Sequence, residues 1–104
     1  MPRSGRKEHT MELYEAMLQL QSKEECFQFF QDLCTPAEML AMEQRYDVAT
    51  KLQDGCTYID IQDTTNASTA TISRVVRLLR DENKSMLEKV IRRMRGNYFR
   101  RIRL

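Results

Sequence analysis

Residues that interrupt helices are scarce in this chain, since its 104 residues include three glycines and two prolines. That scarcity favours an all-α fold, because glycine and proline break helices most readily. No apolar run approaches the roughly 20 residues that a membrane-spanning helix needs. The chain does not open with the charged and then apolar segments of a secretory signal. We therefore expect a cytoplasmic protein with no membrane partner.

Groups for metal binding and covalent catalysis are also few. The three cysteines, Cys26, Cys34 and Cys56, form no CxxC pair, and His9 is the single histidine. We interpret the cysteines as reduced thiols in a core and expect no metal site and no cofactor. The chain also lacks a glycine-rich phosphate loop and a nucleophile beside a plausible base. An enzyme is therefore not expected.

The charge of the chain changes sign along its length. Residues 1–67 contain 6 Lys and Arg against 12 Asp and Glu, whereas residues 68–104 contain 11 against 3. A basic half of this size favours nucleic acid as a partner. An acidic lipid surface and pairing between the acidic and basic halves of an oligomer are the alternatives, although no lipidation motif is present.

The stretch from Thr57 to Arg80 carries the strongest pattern. A short amphipathic segment is followed by a polar break at residues 64–66, and then by a second segment that opens with small residues. Apolar residues recur there at helical spacing, with arginines opposite: Ile72, Val75, Val76 and Leu79 against Arg74, Arg77 and Arg80. This pattern is typical of a helix-turn-helix over about residues 57–80. An ordinary helical hairpin with a solvated arginine face is the alternative.

In a helix-turn-helix the second helix enters the DNA major groove by its N-terminus. Small and hydroxylated side chains there let the backbone approach base edges, and arginines supply counter-charge for phosphates. The candidate residues for these roles are Ser68, Thr69, Ala70, Thr71 and Ser73 at the tip, with Arg77 and Arg80 along the helix.

Capping signals divide the rest of the chain into helices. One helix is predicted from Thr10 to Gln21, and others follow the caps Ser22, Thr35, Thr57 and Ser85, each with an acidic residue three positions later. Gly55 suits the left-handed end of a helix that runs to Gln53, and Gly96 is predicted to end the last helix. The predicted inward residues are Met39, Met42, Tyr46, Ala49 and Leu52 in the third helix, Ile59 and Ile61 in the fourth, and Met86, Leu87, Val90, Ile91 and Met94 in the last.

The second helix carries Phe27, Phe29 and Phe30, which cover more than one face. One small subunit has difficulty burying all three, so we expect a homodimer. A core packed on several sides within one chain is the alternative.

At the two ends of the chain we predict a flexible basic arm over residues 1–9 and a basic tail over residues 97–104. The tail extends a helix, contacts DNA or docks on the partner subunit.

Several segments together resemble the Trp repressor superfamily. The sequence ASTATISRV is preceded by a helical region that carries LCTPAE and QRYDVATKL. Within the superfamily, the chain is similar to the small Trp repressor-related proteins of Gram-positive bacteria, over roughly residues 10–95. The resemblance implies an all-α, six-helix, intertwined homodimer, whose first three helices and last helix form a shared core. It also implies a DNA-binding transcriptional regulator, with repression as the expected outcome.

The resemblance extends to individual residues. Thr69, Ala70, Thr71 and Ser73 match the part of the recognition helix that meets the operator, and Gln62 matches a supporting backbone contact. Arg45 and Arg74 match the two arginines that enclose the tryptophan corepressor, and Thr35 matches another position of that pocket. A glycine of the repressor is replaced by Val75 here, and the loop at residues 55–57 is one residue shorter. We therefore expect that tryptophan is not the ligand.

Three functions follow as hypotheses. The first is a dimeric repressor that binds double-stranded DNA. The second adds a different small-molecule effector near Arg45 and Arg74. The third is a helical adaptor whose methionine-rich surface binds a partner helix.

Overall fold

The computed structural model describes residues 8–81 and 85–102, and describes side chains as far as residue 96. These residues form six α-helices and no β-strand, which confirms the predicted all-α class. The helices are α1 (Glu12–Met17), α2 (Lys23–Leu33), α3 (Pro36–Gln53), α4 (Tyr58–Thr65), α5 (Thr69–Arg80) and α6 (Met86–Ile102). The chain divides into two compact units, one ending at Met39 and the other beginning at Leu40.

Hydroxyl caps start five of the six helices. In each case a side-chain oxygen accepts the backbone N–H of the third residue that follows, at 3.1–3.2 Å. Such caps satisfy N–H groups that have no partner within the helix. The caps are Ser22, Thr35, Thr57, Ser68 and Ser85, and the four that the sequence predicted are confirmed.

At the start of α3 the cap is reciprocal. The Thr35 hydroxyl accepts the Glu38 N–H, and a Glu38 carboxylate oxygen accepts the Thr35 N–H at 2.8 Å. The hydrogen bond from the Thr35 backbone, together with that from its side chain, holds the pKa of the Glu38 carboxyl below its ordinary value of 4.5. Charge on Glu38 therefore favours the start of α3 at neutral pH.

The first helix is shorter than predicted. It ends at Met17, and the N–H groups of the next three residues bond to carbonyls three positions back. Ser22 must adopt an extended backbone to cap α2, so the helix cannot continue to Gln21. The spacing of apolar residues, on which the longer helix was predicted, does not include this requirement of the Ser22 cap.

Side chains from α3 to α6 build the core of the second unit. Seven of them are buried: Val48, Ala49, Ile61, Ala67, Ile72, Val75 and Ile91. The apolar face of α5 is confirmed, because Val76 and Leu79 pack against the same cluster while Arg74, Arg77 and Arg80 are exposed.

Three of the predicted inward faces are wrong in part. On α4, Ile61 is fully buried but Ile59 is 69% exposed, because residues two apart lie on different sides of a helix. On α3, Val48 takes the core position, and Met42 and Tyr46 are exposed. On α6, Leu87 and Ile91 pack inward, whereas the other three predicted residues form an exposed stripe: Met86, Val90 and Met94.

Arg95 ties α6 to the end of α3. Its guanidinium donates to the Thr50 carbonyl at 2.8 Å and pairs with the Asp54 carboxylate at 2.6 Å. The Thr50 carbonyl also accepts the Asp54 N–H at 3.0 Å, so the cation adds a second bond there and complements the negative end of the α3 dipole. Gly55 follows in the left-handed conformation (φ 82°), as predicted for the helix end.

Both helices of the first unit keep their side chains exposed or half-buried. On α2, Phe29 and Phe30 meet edge to face with ring centroids 5.5 Å apart and are half-buried, while Phe27 is exposed. Cys26 is also exposed, so the interpretation of all three cysteines as core thiols is wrong for this one. The basic arm lies mostly outside the described residues, which begin at residue 8.

The prediction that the last helix ends at Gly96 is wrong, because α6 continues to Ile102. Within the described residues, a Cβ added at Gly96 meets no atom within 4 Å. Gly96→Ala should therefore raise the free energy of unfolding by about 0.5–1 kcal/mol, since alanine loses less entropy than glycine on entering a helix. Urea denaturation followed by circular dichroism measures the change. A helix that ended at Gly96 in a left-handed conformation would instead be destabilised by alanine.

Candidate nucleic-acid interface

A tight turn connects α4 to α5. Asn66 ends α4 in the left-handed conformation (φ 59°), and its N–H bonds to the Gln62 carbonyl at 2.9 Å. Asparagine enters this conformation more easily than other non-glycine residues. The Thr65 hydroxyl donates to the Ile61 carbonyl at 2.6 Å and accepts the Ala67 N–H at 3.2 Å. Because Ile61 and Ala67 are both buried, these bonds attach the turn to the core.

The turn leaves the N-terminus of α5 accessible. Ser68, Thr69 and Ala70 are exposed, and Thr71 is half-buried. Ser68 Oγ accepts the Thr71 N–H at 3.1 Å and lies 3.1 Å from Thr71 Oγ1. The hydroxyl pair therefore fixes the first turn of the helix. The N–H groups at its start and the positive end of its dipole face solvent.

The outer face of α5 is polar and cationic along its length. Ser73 is half-buried, and Arg74, Arg77 and Arg80 are exposed. The helix has no acidic residue in its first turn, and Arg77 and Arg80 lie in its last turn. Gln62 is half-buried on the neighbouring helix α4. The tip residues and the arginines thus belong to one exposed side of α5.

A cavity of about 650 Å³ lies beside this face of α5. Three arginines line it, Arg45 from α3 with Arg74 and Arg77 from α5, so the two arginines predicted for an effector pocket do share a cavity. Leu78 and Leu87 supply apolar wall. The lining therefore combines positive charge with apolar surface, and it also includes the carboxylate of Asp81.

The structure also shows where two other residues discussed for the predicted pocket lie, Val75 and Thr35. Val75 lines the cavity next to Arg74 and is also buried in the core, with 2% of its surface exposed. Thr35 lies in the first unit, where its hydroxyl caps α3. A structural role for Thr35 is therefore established independently of any ligand.

One residue that supports this site was missed from the sequence. The side-chain amide of Gln44 on α3 donates to the Thr65 carbonyl in the turn, at 3.0 Å. Gln44 lies four residues before Val48 and eight before Leu52, so it continues the stripe that faces the core. A half-buried polar side chain on a core-facing stripe needs a hydrogen-bond partner, but the sequence alone did not show that this stripe of α3 faces the core.

Neither of the long helices α3 and α6, nor any other described helix, is apolar enough over 18 residues to cross a membrane. Within residues 8–81 and 85–102, no three His, Cys, Asp or Glu side chains converge on a point where they could hold a metal ion.

Six helices with a short turn between α4 and α5, and with an exposed N-terminal tip on α5, define a helix-turn-helix architecture. Comparison with known proteins identifies its family. Residues 8–95 match the model of the Trp repressor protein family, so the chain belongs to that family. The family is one of DNA-binding regulators rather than enzymes.

Individual relatives agree with this assignment. The chain is 50% identical over 68 residues to the uncharacterised protein YerC of Bacillus subtilis, and the match spans 65% of each chain. A TrpR-like protein from Eubacterium eligens has 42% identity and a TM-score of 0.74, with 80% of this chain and 84% of that chain covered. A candidate Trp repressor from Staphylococcus aureus has 44% identity and a TM-score of 0.75, with 81% and 83% covered.

Proposed function

We propose that this protein is a sequence-specific transcriptional regulator, most simply a repressor, which binds double-stranded DNA as a homodimer. One observation carries the proposal: the small-residue tip of α5 is exposed, while the opposite face of the same helix is anchored in the core. A helix held in this way can enter the major groove without rearrangement of the unit that carries it.

The tip residues have the chemistry for reading base edges. Hydroxyls of Ser68, Thr69, Thr71 and Ser73 donate to or accept from bases, and the Ala70 methyl suits contact with a thymine methyl. Gln62 on α4 and the exposed Arg77 and Arg80 bind phosphates on either side of the groove. In this assignment the tip residues supply sequence preference and the arginines supply most of the affinity.

Thr71→Glu tests the docking of the tip. With Ser68 as cap, glutamate at residue 71 completes a Ser-x-x-Glu capping box, so the substitution should not weaken the start of α5. It places a carboxylate against the phosphates and base edges of the groove. We expect at least a roughly tenfold loss of affinity, or about 1.4 kcal/mol, for a duplex selected by the wild type from a random pool, measured by fluorescence anisotropy.

Gln53→Glu is the matched control, since it adds the same charge at an exposed position outside α4 and α5. It should bind within about twofold of the wild type, because an isolated surface charge is screened by salt.

The salt dependence of DNA binding gives a second readout. Arg77→Ala or Arg80→Ala should each reduce the slope of log K against log salt by about one. Unchanged binding by the Thr71 variant would exclude the proposed docking.

The homodimer is proposed from the apolar surface that a single chain leaves uncovered. α6 carries the exposed stripe Met86, Val90 and Met94, and α3 exposes Leu40 and Tyr46. Leu18, just after α1, is also exposed, as are Phe27 and Leu33 on α2. Exposed large apolar side chains on several helices favour a partner surface that covers them. Two copies would cover these faces and set their α5 tips about 34 Å apart, which is one turn of DNA.

Met94→Glu tests the dimer. Met94 is 56% exposed in the single chain, so a carboxylate there costs little in a monomer, but burial without a partner makes it costly in a dimer. We expect the variant to elute as a monomer in light-scattering chromatography at concentrations where the wild type is a dimer. Arg93→Glu, at the exposed neighbouring position, should leave the dimer intact. A wild-type chain that is monomeric and folded at all concentrations would refute the proposal.

A second candidate function adds a small effector at the Arg45–Arg74 cavity. The three arginines and the apolar walls favour a ligand with one anionic group and a small apolar part. Tryptophan does not fit this proposal, because the branched side chain of Val75 stands beside Arg74 in the cavity wall. Arg45 and Arg74 would hold the anionic group of a different ligand, or a DNA phosphate if no ligand binds.

Thermal unfolding separates these alternatives. A ligand of the folded state raises the melting temperature, by an amount equivalent to about 2.7 kcal/mol at 100 times its Kd. We expect no rise with millimolar tryptophan, and a rise with the true effector that is abolished in Arg74→Gln. A saturable rise with tryptophan in the wild type would show that Val75 leaves room for the indole ring.

A further inference from the structure

Gln44 makes the one side-chain hydrogen bond among the described residues that joins α3 to the turn between α4 and α5. Its amide nitrogen lies 3.0 Å from the Thr65 carbonyl oxygen, across 21 residues of sequence, in a half-buried position. The other side-chain bonds of the turn are local, since those of Thr65 reach Ile61 and Ala67. The Gln44 bond is therefore the polar link between the turn and another helix.

The acceptor of this bond lacks a partner within its own helix. Thr65 is the last residue of α4, and the last four carbonyls of a helix have no N–H donor within it. The left-handed residue Asn66 follows at once, so the chain leaves the helical path before it can satisfy Thr65. A half-buried carbonyl in this situation needs an outside donor, and an amide NH₂ is the donor that Gln44 supplies.

The position of Gln44 fixes the direction of that bond. Val48 and Leu52, one and two turns further along α3, pack in or against the core, so the same stripe of α3 holds both the apolar contacts and the amide. Ala67 and Ile72 join that core immediately after the turn. The bond therefore lies between the core stripe of α3 and the turn that leads into the first residues of α5.

We propose that Gln44 is a positioning residue for DNA recognition: its hydrogen bond to Thr65 holds the tip of α5 at the angle needed to read base edges. This inference rests on the proposed DNA binding. It concerns specificity rather than affinity, because the arginine–phosphate contacts tolerate a small tilt of the helix whereas hydrogen bonds to bases do not. Loss of the bond should thus affect specific binding and spare non-specific binding.

Two substitutions of Gln44 test the proposal. Gln44→Met keeps the size of the side chain and its apolar contacts but cannot donate. Gln44→Glu keeps the shape and places an acceptor against the Thr65 carbonyl. Gln53→Met, at an exposed position of the same helix, is the matched control. Affinity is measured well below the melting temperature for a duplex selected by the wild type and for a scrambled duplex, so that lowered stability does not alter the ratio.

We expect the specific-to-scrambled affinity ratio to fall about fivefold to tenfold in Gln44→Met, as loss of one hydrogen bond predicts. It should fall further in Gln44→Glu and stay unchanged in Gln53→Met. Affinity for the scrambled duplex should be the same in all four proteins. Amide hydrogen exchange at Asn66 and Ala67 should be faster in both Gln44 variants, which locates the loosened segment independently of DNA.

The outcomes separate this inference from the function on which it rests. A wild type that prefers no sequence overturns the proposed function and the role of Gln44 together. A wild type that prefers its selected site, with an unchanged ratio in both Gln44 variants, overturns the role of Gln44 and leaves the proposed function standing. A lower melting temperature with an unchanged ratio shows that the bond is merely structural and also overturns the proposal.

Discussion

The small core of the second unit determines where the candidate DNA-contacting side chains of α5 lie. Its largest fully buried members are Val48, Ile61, Ile72 and Ile91, one from each of α3, α4, α5 and α6. A fully buried aliphatic side chain stabilises a fold by about 1.5–3 kcal/mol, so a cluster of this size offsets only part of the entropy of ordering four helices. With one face of α5 committed to the core, its other face and its N-terminus must point to solvent.

That small core also explains why apolar surface remains outside it. α3 and α6 each have one apolar side in the core and a second apolar side that is exposed, with Tyr46 on one helix and Met94 on the other as examples. A helix that is apolar on two sides packs between two layers. Association of two chains would supply the missing layer, and the same association would fix the distance between two recognition helices. In this arrangement stability and DNA recognition depend on the same contact.

Signals within a few residues of each other predicted much of the fold. The errors arose where packing between helices decides which face is buried. Caps fixed where helices begin, because a hydroxyl at Thr35 or Ser85 and the acidic residue three positions later interact within one turn. Periodicity found the core face of α5, where apolar and cationic residues are cleanly separated. It was wrong in part on α3 and α6, because two apolar stripes are present there and one sequence does not show which stripe a single chain buries. Gly96 was predicted to end the last helix because glycine is common at helix C-termini. Here it lies inside α6 instead, and the glycine alone does not show which of the two conformations it adopts.

The candidate site residues stay predictions, and the sequence offered them in two ways. The tip of α5 followed from its small-residue pattern and the pair Arg45 and Arg74 from resemblance, but the link from Gln44 to Thr65 could not be located without the fold. It joins residues far apart in sequence, and the pattern indicates only that Gln44 needs a partner, not which one.

Val75 shows how the core constrains ligand binding in this chain. The residue closes the core at a position where it is 2% exposed, and it also stands in the wall of the arginine-lined cavity. Removing its side chain to admit a flat ring would leave a void in the cluster that anchors α5, and such voids are costly. Opening a slot at residue 75 would therefore weaken the same cluster that holds α5 in place.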